Sequence, residues 1–202
     1  MTFHRYGTAA PALLAAYGIV RLSGDAEGPG AAWTTGHLLL LGSLALFVPV
    51  VRGLRRRHLH PAATAAAAVA LTGLAAGIVQ AVIDLVVGFR AADRGGMDAL
   101  FLAVKAHPAV TPAVYTVGPL LFYVGLLALL MTAAIRRPVK TAGGLLAPLL
   151  VLLGAVAMAL SLDLLVVSAG CYWLALMSSP GKSPESSWRW LLPAARTGRR
   201  TA

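Results

Sequence analysis

An isolated carboxyl group within a long apolar segment is the side chain of this protein best suited to chemistry. Residues 62–89 contain no Lys, Arg or Glu, and their only ionisable side chain is that of Asp84. Gln80 precedes it by about one helical turn. A carboxyl group inside a membrane-spanning helix is energetically expensive, so such residues are by default candidates for a functional site. The alternative interpretation is structural: Asp84 bonds Gln80, a tyrosine hydroxyl or a backbone carbonyl and fixes helix packing.

A carboxylic acid that is buried among apolar groups keeps its proton and can act as a general acid. In a helix bundle lined by aromatic rings, it could protonate an alkene or an epoxide of a lipophilic substrate. The aromatic faces would then stabilise the carbocation. A second polar group would remove the final proton, and the candidates are His37, Asp163 and Tyr115. This chemistry is the proton-initiated cyclisation of an isoprenoid chain, and we expect it to need neither a metal nor another cofactor.

Long apolar segments must position these residues. A membrane-spanning helix needs about 20 apolar residues, and the sequence predicts spans at residues 8–22, 33–51, 62–89 and 110–135. The last apolar stretch, 143–177, would be about 52 Å long as one helix, so we divide it at residues 161–163. Residues 99–104 are expected to form a short interfacial helix, and Pro119 a kink. The predicted fold class is therefore all-α, a polytopic membrane bundle of about six transmembrane helices.

Charge supports this architecture and gives it an orientation. Only 12% of the residues are charged, against about 25% in soluble domains. The net charge of +10 does not indicate nucleic-acid binding, because the basic residues lie in short loops and a tail. With the amino terminus inside, 13 of the 17 lysines and arginines fall on the cytoplasmic side, which predicts cytoplasmic termini. We expect a multi-pass plasma-membrane protein, with one domain over residues 1–178 and a basic, partly disordered tail at 179–202.

The candidate residues fall at one depth of the predicted bundle. Gly73, Gly77, Gln80, Asp84 and Gly88 share one helix face, and the Gly73–Gly77 pair favours close helix contact, so this face should point inward. By topology alone, the outer half of the bundle also receives several polar residues from other spans. These are His37, Tyr115 and Asp163. The further candidates for contact with a substrate are aromatic: Trp33, Phe122, Tyr123 and Trp173.

Each of these residues also has a simpler interpretation. Trp33, Tyr115 and Trp173 are of the type that forms aromatic belts at the membrane surface. Asp163 is suited to a turn or a helix N-cap. The single cysteine, Cys171, excludes an intramolecular disulfide and a multi-cysteine metal site, and it suits a small core position.

Absent motifs narrow the choice of function. The chain has no phosphate-binding loop, Rossmann glycine pattern, His-Glu-x-x-His or Gly-x-Ser-x-Gly motif, and no acid-rich motif for a metal-bound diphosphate. Two non-enzymatic alternatives remain. A membrane assembly subunit would have no cavity and would use Asp84 for packing. A small transporter would spread polar residues through the full depth of the membrane, whereas here they gather on one side.

Two short stretches carry a resemblance to a known family. These are Gln-Ala-Val-Ile-Asp at 80–84 and Gly-Pro-Leu-Leu-Phe-Tyr at 118–123. The chain resembles the small integral-membrane terpene cyclases of actinomycete meroterpenoid and indole-sesquiterpenoid biosynthesis. The likeness covers most of the chain as a pattern but is short as an exact motif. It implies protonation of a prenylated, farnesyl-type substrate by an acidic residue, and by motif position only Asp84 can take that role. The expected partners are the bilayer and this substrate, with the oligomeric state left open.

Overall fold

The computed structural model describes residues 2–23, 27–135 and 143–178, and these residues form helices and no β-strand. The helices are α1 (Thr2–Leu22), α2 (Ala31–Arg57), α3 (Pro61–Arg90), α4 (Arg94–Lys105), α5 (Gly118–Ile135), α6 (Gly143–Leu160) and α7 (Leu165–Ser178). A π-helical segment, Thr111–Val117, leads directly into α5, and a short 3-10 turn, Leu162–Leu164, leads into α7. The prediction of an all-α bundle is confirmed.

Local capping explains where α3 and α4 begin. Pro61 occupies the first turn of α3, where its missing N–H costs nothing, and the His60 side chain accepts a hydrogen bond from the Ala62 N–H at 3.1 Å. Asp93 caps α4 by accepting from the Gly96 N–H at 2.7 Å. The predicted interfacial helix at 99–104 is therefore part of a longer helix that starts at this cap.

The expected disturbance around Pro119 takes the form of a π-helical turn. Proline has no N–H, and its ring clashes with the carbonyl four residues earlier in a regular α-helix. The Gly118 N–H bonds the Ala113 carbonyl, five residues back, which widens the helix before Pro119. The Thr116 hydroxyl donates to the Thr111 carbonyl at 3.2 Å. Such π turns are frequent at functional sites, and this one carries Tyr115.

Six helices form a closed ring, in the spatial order α1, α2, α3, α5, α6, α7 and back to α1. The seam between α5 and α6 is the most sparsely packed of the six. The ring interior is filled mainly by aliphatic side chains, and Val50, Leu126 and Leu165 are fully buried. α4 lies outside the ring against α3.

Glycines draw α3 and α5 into backbone contact. A Cβ atom added to Gly73 would lie 2.7 Å from the Phe122 Cα, and one added to Gly125 would lie 2.7 Å from the Ala66 carbonyl oxygen. Both positions therefore require glycine. Gly77 differs, because its nearest neighbour is the end of the flexible Leu44 side chain on α2, at 3.4 Å. The predicted inward face of α3 is thus shared between two neighbouring helices.

Three helical stretches are long and apolar enough to cross a membrane: Ala31–Arg57, Pro61–Arg90 and Thr111–Ile135. Shorter apolar helices occupy Leu145–Leu160 and Leu162–Ser178. These features are compatible with a membrane protein, while the count of six spans and their orientation stay predictions. The break predicted at 161–163 is present, since α6 ends at Leu160 and Ser161 caps the following turn. The predicted basic tail at 179–202 and the basic loop after Ile135 lie outside the described residues.

Candidate active site

Asp84 lies in the last third of α3, where this helix contacts α2 on one side and the π-helical segment on the other. Its side chain is buried, with the residue 6% exposed. The Tyr115 hydroxyl donates a hydrogen bond to Asp84 Oδ1 at 2.9 Å. The second carboxyl oxygen, Oδ2, lies 3.6 Å from His37 Nε2 on α2. The structure therefore joins three predicted site residues, from three different segments, around one carboxyl group.

The backbone contact of His37 fixes the proton arrangement on its ring. Nδ1 lies 2.9 Å from the Trp33 carbonyl oxygen, which can only accept a hydrogen bond, so Nδ1 carries a proton. In the neutral ring, Nε2 is then the unprotonated nitrogen, and it faces Asp84 Oδ2. The separation of 3.6 Å is longer than a hydrogen bond. A shift of well under 1 Å would let Nε2 and Oδ2 share a proton.

Trp33, in the first turn of α2, contacts both His37 and Asp84. Its indole Nε1–H donates to the Asp84 backbone carbonyl at 2.9 Å, and its ring lies tilted on His37 with 4.1 Å between ring centroids. The ring also covers Gly88, where any Cβ would collide with the indole. A glycine four residues after Asp84 is therefore what allows the indole to reach the Asp84 carbonyl.

α4 closes the same end of the bundle. Its Phe101 ring packs edge-on against Trp33, with ring centroids 6.0 Å apart. Lys105, in the last turn of α4, places Nζ 5.2 Å from the centroid of the Tyr115 ring. A cation over an aromatic face is attracted to it, so α4 brings a positive charge next to the tyrosine that bonds Asp84.

A cavity of about 320 Å³ opens beside the Asp84 carboxyl group. Its walls come from all six helices of the ring, because residues of α1, α2, α3, α5, α6 and α7 border it. Besides Tyr115, six aromatic side chains line it: Tyr17, Trp33, Phe47, Phe122, Tyr123 and Tyr172. Ligand pockets commonly measure about 300–1,000 Å³ and are largely apolar with a few polar groups. This cavity meets that description.

Most of the predicted site residues line this cavity. His37, Gln80 and Asp84 do so together with Trp33, Tyr115, Phe122 and Tyr123. Gln80 lies half-buried in the cavity wall, one turn before Asp84 on the same helix. The shared face predicted for Gln80 and Asp84 therefore does point into the bundle.

Two predicted residues lie elsewhere. Asp163 is exposed in the turn between α6 and α7, where the Ser161 hydroxyl donates to its Oδ2 at 3.2 Å, and it does not line the cavity. Trp173 is 43% exposed on the outside of the ring. Successive residues of a helix point about 100° apart, so the rotation of α7 that turns Tyr172 inward turns Trp173 outward.

Sequence reasoning missed four cavity residues of possible use to a ligand: Tyr17, Arg21, Phe47 and Tyr172. Tyr172 is fully buried, and its hydroxyl lies near the Ser168 and Tyr123 hydroxyls. Among the described residues, neither the Tyr172 nor the Ser168 hydroxyl makes a hydrogen bond of good geometry, which is unusual for buried hydroxyls. The available signals were the aromatic type of Tyr17, Phe47 and Tyr172 and the positive charge of Arg21 within an otherwise apolar helix.

Comparison with other proteins identifies no relative of this chain. No protein-family model matches the chain, and no curated protein or solved structure is significantly similar to it. Among the described residues, no three His, Cys, Asp or Glu side chains come together in a group that could hold a metal ion. What the site can do must therefore be judged from its own geometry: a buried acid, a histidine and a tyrosine on the wall of an aromatic cavity.

Proposed function

We propose that this protein is a membrane-embedded terpene cyclase that starts the cyclisation of a prenylated, lipophilic substrate by protonating it from Asp84. The observation that carries the proposal is the position of this carboxyl group on the wall of a cavity with seven aromatic side chains. Aromatic faces attract cations by roughly 0.5–2 kcal/mol each, more when water is excluded. Such a lining suits a reaction whose intermediates are carbocations.

Asp84, Tyr115 and His37 have different roles in the proton transfers. The Tyr115 hydroxyl donates to Oδ1 and so leaves Oδ2 as the oxygen that carries the acidic proton. Oδ2–H protonates the terminal alkene of the substrate, whose π electrons form the new C–H bond and leave a tertiary cation. The next alkene attacks this cation, and a C–C bond closes the ring.

The last step returns the proton to the enzyme. A carbon next to the final cation loses its proton, and the electrons of that C–H bond form the product alkene. The acceptor is the unprotonated His37 Nε2, which can pass the proton to Asp84 Oδ2, 3.6 Å away. The product is an isomer of the substrate, so no oxidant, reductant or co-substrate is required.

The alternative of a non-enzymatic assembly subunit predicts that Asp84 is satisfied by its neighbours and that no cavity lies beside it. Tyr115 and His37 do contact Asp84, which fits that alternative. The cavity of about 320 Å³ against the carboxyl group does not, and for that reason we favour the enzyme.

A conversion assay in membranes tests the proposal. Wild type, Asp84→Asn and the matched control Asp163→Asn are supplied with farnesylated and epoxyfarnesylated aromatic and indole substrates, and products of unchanged mass are sought by chromatography and mass spectrometry. We expect a cyclic isomer from wild type and from Asp163→Asn. Loss of the general acid in Asp84→Asn should lower the rate by about 10²–10⁴-fold.

Two results would count against the proposal. Full activity of an equally expressed Asp84→Asn variant would assign the acid to another residue. If no substrate is converted and Asp84→Asn is merely poorly expressed, Asp84 has a packing role and the assembly subunit becomes the better explanation.

A further inference from the structure

A second, larger cavity lies on the outside of the ring, along the seam between α5 and α6. This groove has a volume of about 640 Å³. It is bordered by residues of the π-helical segment and α5 that lie between positions 115 and 127, and on α6 by Val151, Leu152, Ala155, Met158 and Ala159. Its lining is almost wholly apolar: among the described residues that border it, Thr116, Tyr115 and Tyr123 are the ones with polar side chains. Leu120, Val124 and Leu152 at the groove are 48–57% exposed, so it opens onto the surface that would face lipid.

The packing of α5 explains why the opening occurs at this seam. Gly118 and Gly125 bring α5 into direct contact with α3, where a Cβ on Gly118 would collide with Ala76. On its other side, toward α6, the groove is lined by the small residue Ala155. A helix drawn closely to one neighbour by glycines leaves space toward the other, and the widened π turn adds to that space.

The groove and the Asp84 cavity share a common wall. Tyr115, Pro119, Tyr123 and Met158 line both. The Tyr123 hydroxyl on α5 donates to the Met158 sulfur on α6 at 2.8 Å, so this pair bridges the seam between the two spaces. A thioether is a weak acceptor, and methionine has three rotatable side-chain bonds. Of the contacts around the cavity, this one is therefore easy to open.

We propose that the α5–α6 groove is the site where the hydrocarbon chain of the substrate docks and from which it passes sideways out of the bilayer into the Asp84 cavity. The Tyr123–Met158 contact separates the groove from the cavity and opens to let the chain through. This inference rests on the proposed function for the identity of the substrate. The groove has an apolar lining, a rim that faces lipid and a wall in common with the cavity. These features favour a prenyl-type chain as its ligand over a polar molecule or a protein segment.

Photolabelling tests this access route without depending on turnover. The full-length protein in phosphatidylcholine nanodiscs is irradiated with a farnesol analogue that carries a diazirine at its distal end, and labelled residues are located by mass spectrometry. We expect labels within 115–127 and 151–159 and on cavity residues of α2, and all of them should be competed by excess farnesol. Labels spread evenly over the lipid-facing sides of all helices, without competition, would show only bulk lipid contact and overturn the inference.

Tryptophan substitutions make the test specific. Ala155→Trp fills the groove and should reduce labelling of the cavity residues on the order of tenfold, since the ring occupies the space that the chain must cross. Leu153→Trp is the matched control, because Leu153 is exposed on the same helix outside the groove, and its labelling should equal that of wild type. Should Ala155→Trp fail to fold, Ala159→Trp offers a second groove substitution. Undiminished cavity labelling in a folded groove variant would overturn the inference.

The Asp84→Asn variant separates this inference from the proposed function. It should be labelled like wild type while forming no product. If the groove of the wild type is labelled but no substrate is cyclised, the proposed function is refuted and the docking site is supported. If Ala155→Trp cyclises the substrate at the wild-type rate and the groove is not labelled, the proposed function is supported and the docking site is refuted.

Discussion

The two halves of the bundle use the same helices for different purposes. The cavity half, which contains His37, Asp84 and Tyr115, has polar groups and aromatic rings around an open space. The packed half, which contains Val51, Ala70 and Gly125, has small and aliphatic residues in contact, and Val51 and Ala70 are fully buried. α3 and α5 run through both halves.

The difference shows how one helix pair can combine stability with a cavity. Toward the packed half, Ala66 and Ala70 of α3 meet Gly125 of α5 backbone to backbone, and close contact of this kind is what holds helices together in lipid. Toward the cavity half, the side chains of Phe122 and Tyr115 line an open space. We therefore expect substitutions in the packed half to change stability, and those in the cavity half to change binding and activity.

The largest effect on stability is expected for Gly125→Ala. The new methyl group would lie 2.7 Å from the Ala66 carbonyl oxygen and closer still to the backbone of Ala70, so the two helices must separate. We expect a loss of about 3 kcal/mol, at the upper end of the usual cost of overpacking. Unfolding of the purified protein in detergent, followed by circular dichroism, measures it. Gly170→Ala is the control, since no other part of the described structure comes within 4 Å of that Cβ position. Equal stability of the two variants would contradict the contrast between the halves.

A smaller difference in stability is expected between alanine substitutions at the two glycines of the Gly73–Gly77 pair. Gly73→Ala pushes against the Phe122 backbone, whereas Gly77→Ala meets only the end of the Leu44 side chain at 3.4 Å. Alanine is also the better helix former by about 1 kcal/mol. We expect Gly73→Ala to be less stable than Gly77→Ala by about 2 kcal/mol, as measured by the same unfolding experiment. If both substitutions cost the same, the pair acts as a single contact face and the boundary between the halves is misplaced.

The smallest stability effect is expected at the Asp84–Tyr115 hydrogen bond. Tyr115→Phe removes the donor to Asp84 Oδ1, and the loss of such a bond costs about 0.5–1.5 kcal/mol. A double-mutant cycle with Asp84→Ala isolates the interaction, because alanine offers the tyrosine no acceptor, whereas an asparagine oxygen would still accept its proton. We expect a coupling free energy of about 1 kcal/mol, with the fold retained in each variant. Additive effects would indicate that Tyr115 contributes only its ring to the cavity wall.

Much of the architecture could be predicted from the sequence because it depends on segment length and composition. The helix that contains Asp84 was predicted at 62–89 and is observed at Pro61–Arg90. The break after Leu160 follows from the length of the apolar stretch, and the inward face of α3 from glycine spacing. The π turn before Pro119 was anticipated only as a kink, because sequence shows where a regular hydrogen bond must fail but not how the backbone compensates.

Segment length, composition and topology were enough to predict an all-α bundle in which His37, Gln80, Asp84 and Tyr115 lie at a similar height. Which neighbours share the cavity depends on tertiary packing: Tyr172 lines it and Trp173 does not, and Leu162 lines it while the adjacent Asp163 does not. The physical reason is that a helix that is apolar on every side carries no hydrophobic stripe to fix its rotation. Its rotation is set by contacts with neighbouring helices, such as those of Gly73 and Gly125, which exist only once the bundle has formed.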